Sequence, residues 1–266
     1  MSLQFSGKRA LDNIIAQVNL GPRIPGSLAH SEAIKLIDDE LIRSGWQVFL
    51  QNGIIQRHAI TNIIAKRSNI PPRIIIAAHY DSRLLSDRDP ITNQRSDPVP
   101  GANDGASGVS VLLELANSLQ NINNKSIWLV FLDAEDNGNI PGWDWLLGSK
   151  YFVSELKTKP RAVLIIDMVG DKDLNIFIEK NSYAKLSTEI WKAAKSLGNE
   201  KYFINIAKYS ILDDHIPFID AGIPAVDIID IDYPYWHTTE DTIDKVSENS
   251  LEIVGSTLLY WILQQR

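Results

Sequence analysis

The sequence predicts an α/β fold, a three-layer α-β-α sandwich around a mixed, centrally parallel sheet. Three observations carry that expectation. Four short, nearly continuous apolar runs (Arg73–Ala78, Ser126–Leu132, Arg161–Ile166 and Ala225–Ile229) read as strands buried on both faces. Helix-like segments separate them, and strands alternating with helices build a parallel sheet covered on both sides. The composition, 44% hydrophobic and 22% charged with only 15 Gly and 12 Pro, belongs to a chain that packs a core, which excludes disordered and low-complexity classes. At 266 residues the expectation is a single domain over 1–266.

Taken in order, the chain opens on a short helix, followed by the turn-rich Gly21-Pro22-Arg23-Ile24-Pro25-Gly26-Ser27. From Ala29 to Ser44 the apolar residues Ala33, Ile34, Ile37 and Leu41 fall at helical spacing, and Gly45 stops the pattern. Two strand-like runs follow, Gln47–Leu50 and Ile60–Lys66; the segment between them contains Asn52-Gly53, which predicts a hairpin at one sheet edge. Between and after the buried strands, helices are expected over Gly108–Leu119, Leu146–Leu156, Ala184–Ser196 and Ser247–Leu263.

Charge and cysteine content narrow the chemistry. Lys and Arg total 26 against 33 Asp and Glu, a formal charge of −7, so the chain is not expected to bind nucleic acid. Without cysteine, disulfides, cysteine-ligated zinc and thiol nucleophiles are excluded, so any transition metal must be held by the 5 His and the carboxylates. No apolar run approaches the roughly 18 residues that span a bilayer. The opening Met1-Ser2-Leu3-Gln4 carries neither the basic nor the apolar region of a signal peptide, so the expectation for this chain is neither a signal nor a membrane segment.

Function is written in the polar residues that end the apolar runs. His79-Tyr80-Asp81 follows the first, Asp133-Ala134-Glu135-Asp136 the second and Asp167 the third; Trp236-His237 comes after the last, past a loop. Asp104 opens the helix that begins in Gly101–Gly108. Ligands of open α/β sheets bind beyond the carboxyl ends of the strands, so these groups should meet on one rim although about 160 positions separate the first from the last. Singly, each acid reads as a helix cap or loop anchor, and His30, His58 and His215 read as structural histidines. Together, two imidazoles and several crowded carboxylates form a ligand set suited to zinc, because such acids repel unless a cation or protons neutralise them. The adjacent Glu135-Asp136 suits a division of labour, one carboxylate on the metal and its neighbour as general acid/base.

Several of these motifs resemble the zinc aminopeptidase superfamily of exopeptidases: His79-Tyr-Asp-Ser82, Asn103-Asp-Gly-Ala-Ser-Gly-Val109, Glu135-Asp136, Gly148-Ser149, Asp167-Met168 and His237-Thr238. Within it the chain is most similar to the glutaminyl cyclases. That narrower resemblance rests on Gly21–Ser27, Trp143, Asp213-Asp-His-Ile-Pro-Phe218 with Gly222-Ile-Pro224, and Tyr235-Trp-His-Thr238. It implies one catalytic zinc on Asp104, Asp136 and His237, with Glu135 as general acid/base. His79 and Asp167 match the positions that complete a second zinc site in the aminopeptidases, Asp104 bridging, whereas in cyclases Asp167 joins the hydrogen-bond network of the site. Asp213 and Trp236 match residues that orient substrate, Trp143 a pocket-lining loop, and Asp81 the acid that orients the metal-side histidine. The implied reaction is cyclisation of an N-terminal glutamine of a peptide to pyroglutamate with release of ammonia; the alternative is a two-metal aminopeptidase. Asp136 stands where familiar cyclases have Glu, one methylene longer. The Gly-rich Asp104–Gly108 is similar to bacterial aminopeptidases, and the missing disulfide points to a bacterial-type relative.

Overall fold

A computed structural model describes residues 4–122 and 126–265, so residues 1–3 of the opening segment lie outside the described residues. Helix α1 (Gly7–Val18) is capped by Ser6, whose hydroxyl accepts the Arg9 N–H. Helix α2 (Leu28–Arg43) is capped in the same way by Ser27 and stops before Gly45, whose φ is +77°. Strands β1 (Gln47–Ile55) and β2 (His58–Lys66) form the expected antiparallel edge hairpin. Its turn, however, is at Gln56-Arg57, both at positive φ, and Asn52-Gly53 lies inside β1. The reason is a packing contact: a Cβ on Gly53 would stand 2.2 Å from the Tyr151 ring, and the Tyr151 hydroxyl donates to the Asn52 carbonyl.

Strands β3 (Ile74–His79), β4 (Ile127–Leu132), β5 (Ala162–Asp167) and β8 (Ala225–Ile229) are the four apolar runs, all parallel to one another. The sheet order is β1-β2-β4-β3-β5-β8, with β2 antiparallel to β4, so the sheet is mixed with a parallel centre as expected. Three elements are not legible in the sequence. Strands β6 (Ile176–Ile178) and β7 (Phe203–Ala207) make a separate two-stranded parallel sheet, and α6 (His215–Asp220) is a short helix.

Alternation along the buried strands divides the core. Ile74, Ile76 and Ala78 of β3, with Leu129, Phe131, Leu164 and Ile166, face the larger apolar layer. That layer is built with α1, α2, α3 (Ala106–Ser118), α5 (Ala184–Ser196) and α7 (Glu248–Leu263). Ile75, Ala77, Val130, Leu132, Val163 and Ile165 face the smaller one, covered by α4 (Leu147–Glu155) and α6 through Phe152 and Phe218. Because β4 and β5 flank β3, the chain reverses its winding between β3 and β5, the place where open α/β sheets bind ligands. Among the described residues no helix is long and apolar enough to cross a membrane.

Candidate active site

The carboxyl ends of β3, β4 and β5 and the start of α3 bring the expected residues to that reversal point. Asp104 holds the centre: its Oδ1 is 3.1 Å from His79 Nε2, and its Oδ2 is 3.7 Å from His237 Nε2. His79 Nε2 also lies 3.2 Å from Asp167 Oδ1, and His237 Nε2 lies 2.8 Å from Asp136 Oδ1. Two sets of three ligand atoms result, His79–Asp104–Asp167 and Asp104–Asp136–His237, each within 4.8 Å of one another and sharing Asp104. All five side chains are buried.

Local backbone explains how such groups come so close. Gly105, at φ +69°, lets the chain pass where a Cβ would meet the Asp81 carbonyl at 2.8 Å and His79 Cε1 at 2.9 Å. Gly108 seats α3 on β5, since a Cβ there would be 2.1 Å from the Ile166 carbonyl oxygen. Ala134, Met168 and His237 occupy the left-handed region without being glycine, and each lies at or beside a site residue. Strain of this kind costs of order 1–3 kcal/mol per residue and persists only where the surroundings enforce it.

Orienting acids complete the cluster. Asp81 lies 3.4 Å from His79 Nδ1 and accepts the main-chain N–H groups of Glu135 and Asp136, so it pins the acid pair beside that histidine. Asp241 accepts the N–H groups of Asn103 and Asp104 and the Tyr233 hydroxyl, fixing Asp104 from behind. Arg23, of the turn-rich segment, is fully buried and donates to the carbonyls of Tyr80, Pro100 and Gly101, tying the loop after β3 to the loop before α3. Burial pulls its guanidinium down to about 10 against the opposing pull of Asp241, Asp81 and Asp104.

Electrostatics follow from this crowding. Burial, reinforced by the charge of Asp136, pushes the Glu135 carboxyl well above the ordinary glutamate range. Burial likewise raises Asp136 to about 6 and Asp167 to about 7, with Asp104 adding to both. Burial opposes charge on His237, but Asp136, Asp87 and Asp104 together outweigh it and lift the imidazole to about 9. Asp104 Oδ2 and Asp136 Oδ2 are buried with no hydrogen-bond partner among the described residues. Unpartnered carboxylate oxygens beside imidazole nitrogens, in a cysteine-free oxygen and nitrogen set, fit a zinc ion, and either group of three could hold one.

A cavity of about 320 Å³ opens onto Asp104, Glu135, Asp136, Asp167 and Asp213. Its walls are Trp236, Trp145, Met168, Ile229, Ile231 and the segment 209–212. From the loop after Glu135-Asp136 the indole that lines it is Trp145. Trp143 instead stacks on His58, ring centroids 3.6 Å apart, beside a small apolar cluster under the β1–β2 hairpin. Trp145 is set by Leu146 at φ +66° and by Gly138, where a Cβ would collide with the indole at 2.1 Å. Below the floor, Asp213, His215 and Asp227 form a third buried group, with Glu179 3.1 Å from His215 Nε2. His30 pairs with Asp133 at 2.8 Å and His58 with the Gly142 carbonyl at 2.8 Å, both structural contacts as expected.

The profile of peptidase family M28 matches residues 62–262. The chain belongs to peptidase family M28. It is 29% identical over 241 residues to aminopeptidase YwaD of Bacillus subtilis, covering 84% of this chain and 48% of that one, so it spans about half the length of that relative. Among solved structures, Tannerella forsythia glutaminyl cyclase superposes with a TM-score of 0.93 at 32% identity, covering 99% of this chain and 100% of the other. A Zn-dependent exopeptidase from Parabacteroides distasonis does so with a TM-score of 0.92 at 32% identity, covering 99% of each chain.

Proposed function

We propose that this member of family M28 is a zinc-dependent glutaminyl-peptide cyclotransferase, a single catalytic domain acting on peptides with a free N-terminal glutamine. The observation that carries this reading is the small cavity walled by Trp145 and Trp236 with the Glu135–Asp136 pair and Asp213 at its end. About 320 Å³ is near the lower limit for ligand pockets and suits one side chain rather than a length of peptide. The likeness to Tannerella forsythia glutaminyl cyclase supports the same reading.

In the reaction the α-amine attacks the glutamine side-chain amide carbon, the new C–N bond closes a five-membered ring, and ammonia leaves. Asp104, Asp136 and His237 would hold one catalytic zinc, which when bound supplies Lewis acidity toward the amide oxygen. Glu135 takes a proton from the attacking amine and returns it to the departing nitrogen. Its carboxyl, held well above the usual glutamate range by burial and by Asp136, is suited to take up and return a proton. Trp145 and Trp236 hold the side chain between their faces and exclude water, so the intramolecular amine is the nucleophile. Asp213 and Asp167, at the cavity floor, accept hydrogen bonds from the substrate amine and orient it.

One observation favours a second reading: His79 and Asp167 with Asp104 form a second complete ligand set, as a two-metal aminopeptidase would need. Parallel assays with an N-terminal glutaminyl peptide and a leucyl amide, with zinc per chain measured on the same sample, separate the two. Cyclised product with one zinc supports the proposal. Leucyl amide hydrolysis with two zinc ions and no cyclised product defeats it.

A further inference from the structure

We propose that Asp87, clamped by Arg83, is the carboxylate that orients His237, so that the metal affinity of the Asp104–Asp136–His237 group depends on it. The inference rests on that group being the metal site proposed above. Asp87 Oδ1 lies 3.6 Å from His237 Nδ1, while the other ring nitrogen faces Asp136 and Asp104. His79 has the same arrangement, with Asp81 3.4 Å from Nδ1 and cluster acids on Nε2. A carboxylate on one nitrogen keeps the N–H there, which leaves the lone pair of the other directed at the cluster.

What sets Asp87 apart from a surface acid is how it is held. Its side chain is 44% exposed, yet the arginine that grips it is 1% exposed. Arg83 Nε and Nη2 fork onto both Asp87 oxygens at 2.9 and 2.8 Å. The same guanidinium donates to the main-chain carbonyls of Asp136, at 2.6 Å, and Gly138, at 3.1 Å, and it lies 5.0 Å from the centre of the Trp145 ring. One buried cation thus sets the orienting acid, the loop that carries Asp136, and a wall of the cavity in a single frame. The Arg88 N–H, next along the chain, donates to the His237 carbonyl at 3.2 Å and fixes the histidine main chain to that frame. An isolated exposed ion pair contributes little; this one is anchored on one side by a fully buried donor, and its geometry is passed to a ring nitrogen.

The test is the zinc dissociation constant of the whole chain by competition with a chromophoric chelator, with the visible spectrum of the cobalt(II)-substituted protein. Asp87→Asn keeps the shape and removes the charge, and should weaken zinc binding about 10- to 100-fold and alter the cobalt spectrum. The metal-free protein should lose some stability, because the buried Arg83 loses its carboxylate partner, and Asp87→Glu should recover part of the lost affinity. Equal zinc affinity and an identical cobalt spectrum in Asp87→Asn and wild type overturn the proposal. So does a loss that Asp87→Glu leaves uncorrected while the spectrum is unchanged, since that marks a purely structural contact. Failure of the wild type to bind zinc removes the metal site itself, and this inference with it.

Discussion

Replacing Glu135 by Gln probes the proton-transfer step with little disturbance elsewhere. The side chain is 7% exposed, and glutamine matches it in shape and heavy-atom count, so no cavity opens and no group is crowded. Its main-chain N–H, held by Asp81, is untouched, so the adjacent Asp136 keeps its place on the proposed metal site. The substitution removes the group that takes a proton from the amine and gives it to the leaving nitrogen, a role worth about 10²- to 10⁴-fold, or about 3–5 kcal/mol of barrier. Because the buried carboxyl is raised and is therefore costly to ionise in the metal-free fold, the amide should leave stability unchanged or slightly improved. The assay is kcat/KM for a glutaminyl peptide, with zinc per chain and urea unfolding on the same preparation. Activity within tenfold of wild type at full zinc content would refute the assignment of Glu135. Loss of zinc would show that it holds the metal instead.

Other expectations test the walls, the support and the scaffold. Trp145→Ala removes a cavity wall and should lower kcat/KM about 10- to 100-fold, whereas Trp143→Ala, stacked on His58 outside the cavity, should leave it within a few-fold; the reverse ranking would misplace the pocket. Burial opposes charge on Glu179, but His215 and three main-chain N–H groups outweigh it and hold the carboxyl down to about 2. Its stabilisation is present above the usual 4.5 and lost as pH falls toward 2, so Glu179→Gln should cost about 2–3 kcal/mol at pH 7 in denaturant unfolding and progressively less below pH 4.5. Gly108→Ala gains helix propensity of about 1 kcal/mol, but its Cβ would stand 2.1 Å from the Ile166 carbonyl, so net destabilisation of about 2 kcal/mol is expected. Zinc affinity should fall with it, because Asp104 lies immediately before the Gly105 cap of the same helix; unchanged urea midpoint and zinc binding would contradict the close approach.

How much of this was legible in the sequence follows from burial. The central strands could be read because burial on both faces writes them as unbroken apolar runs, and their polar ends were therefore visible as His79, Glu135-Asp136 and Asp167. Strand β6 has three residues and β7 is mostly exposed, so neither leaves a periodic signal. The Asn52-Gly53 pair reads as a turn by local chemistry, and only the Tyr151 ring, about 100 positions away, explains why it is strand. Trp143 and Trp145 flank the same aspartate in an aperiodic loop, and which indole reaches the cavity depends on the left-handed Leu146 and on Gly138. Asp87 and Asp241 act through main-chain and ring contacts that no spacing encodes. Asp227 did carry a sign, an acid within an apolar strand run, and it marks the buried polar group beneath the cavity floor.

The most direct measurement offers both reactions to the same site: mass analysis of the products from one glutaminyl peptide incubated with the zinc-loaded protein. The account predicts a single product, the intact peptide less ammonia, with no free glutamine. Free glutamine and a peptide shortened by one residue would contradict it and establish hydrolysis as the chemistry of this site.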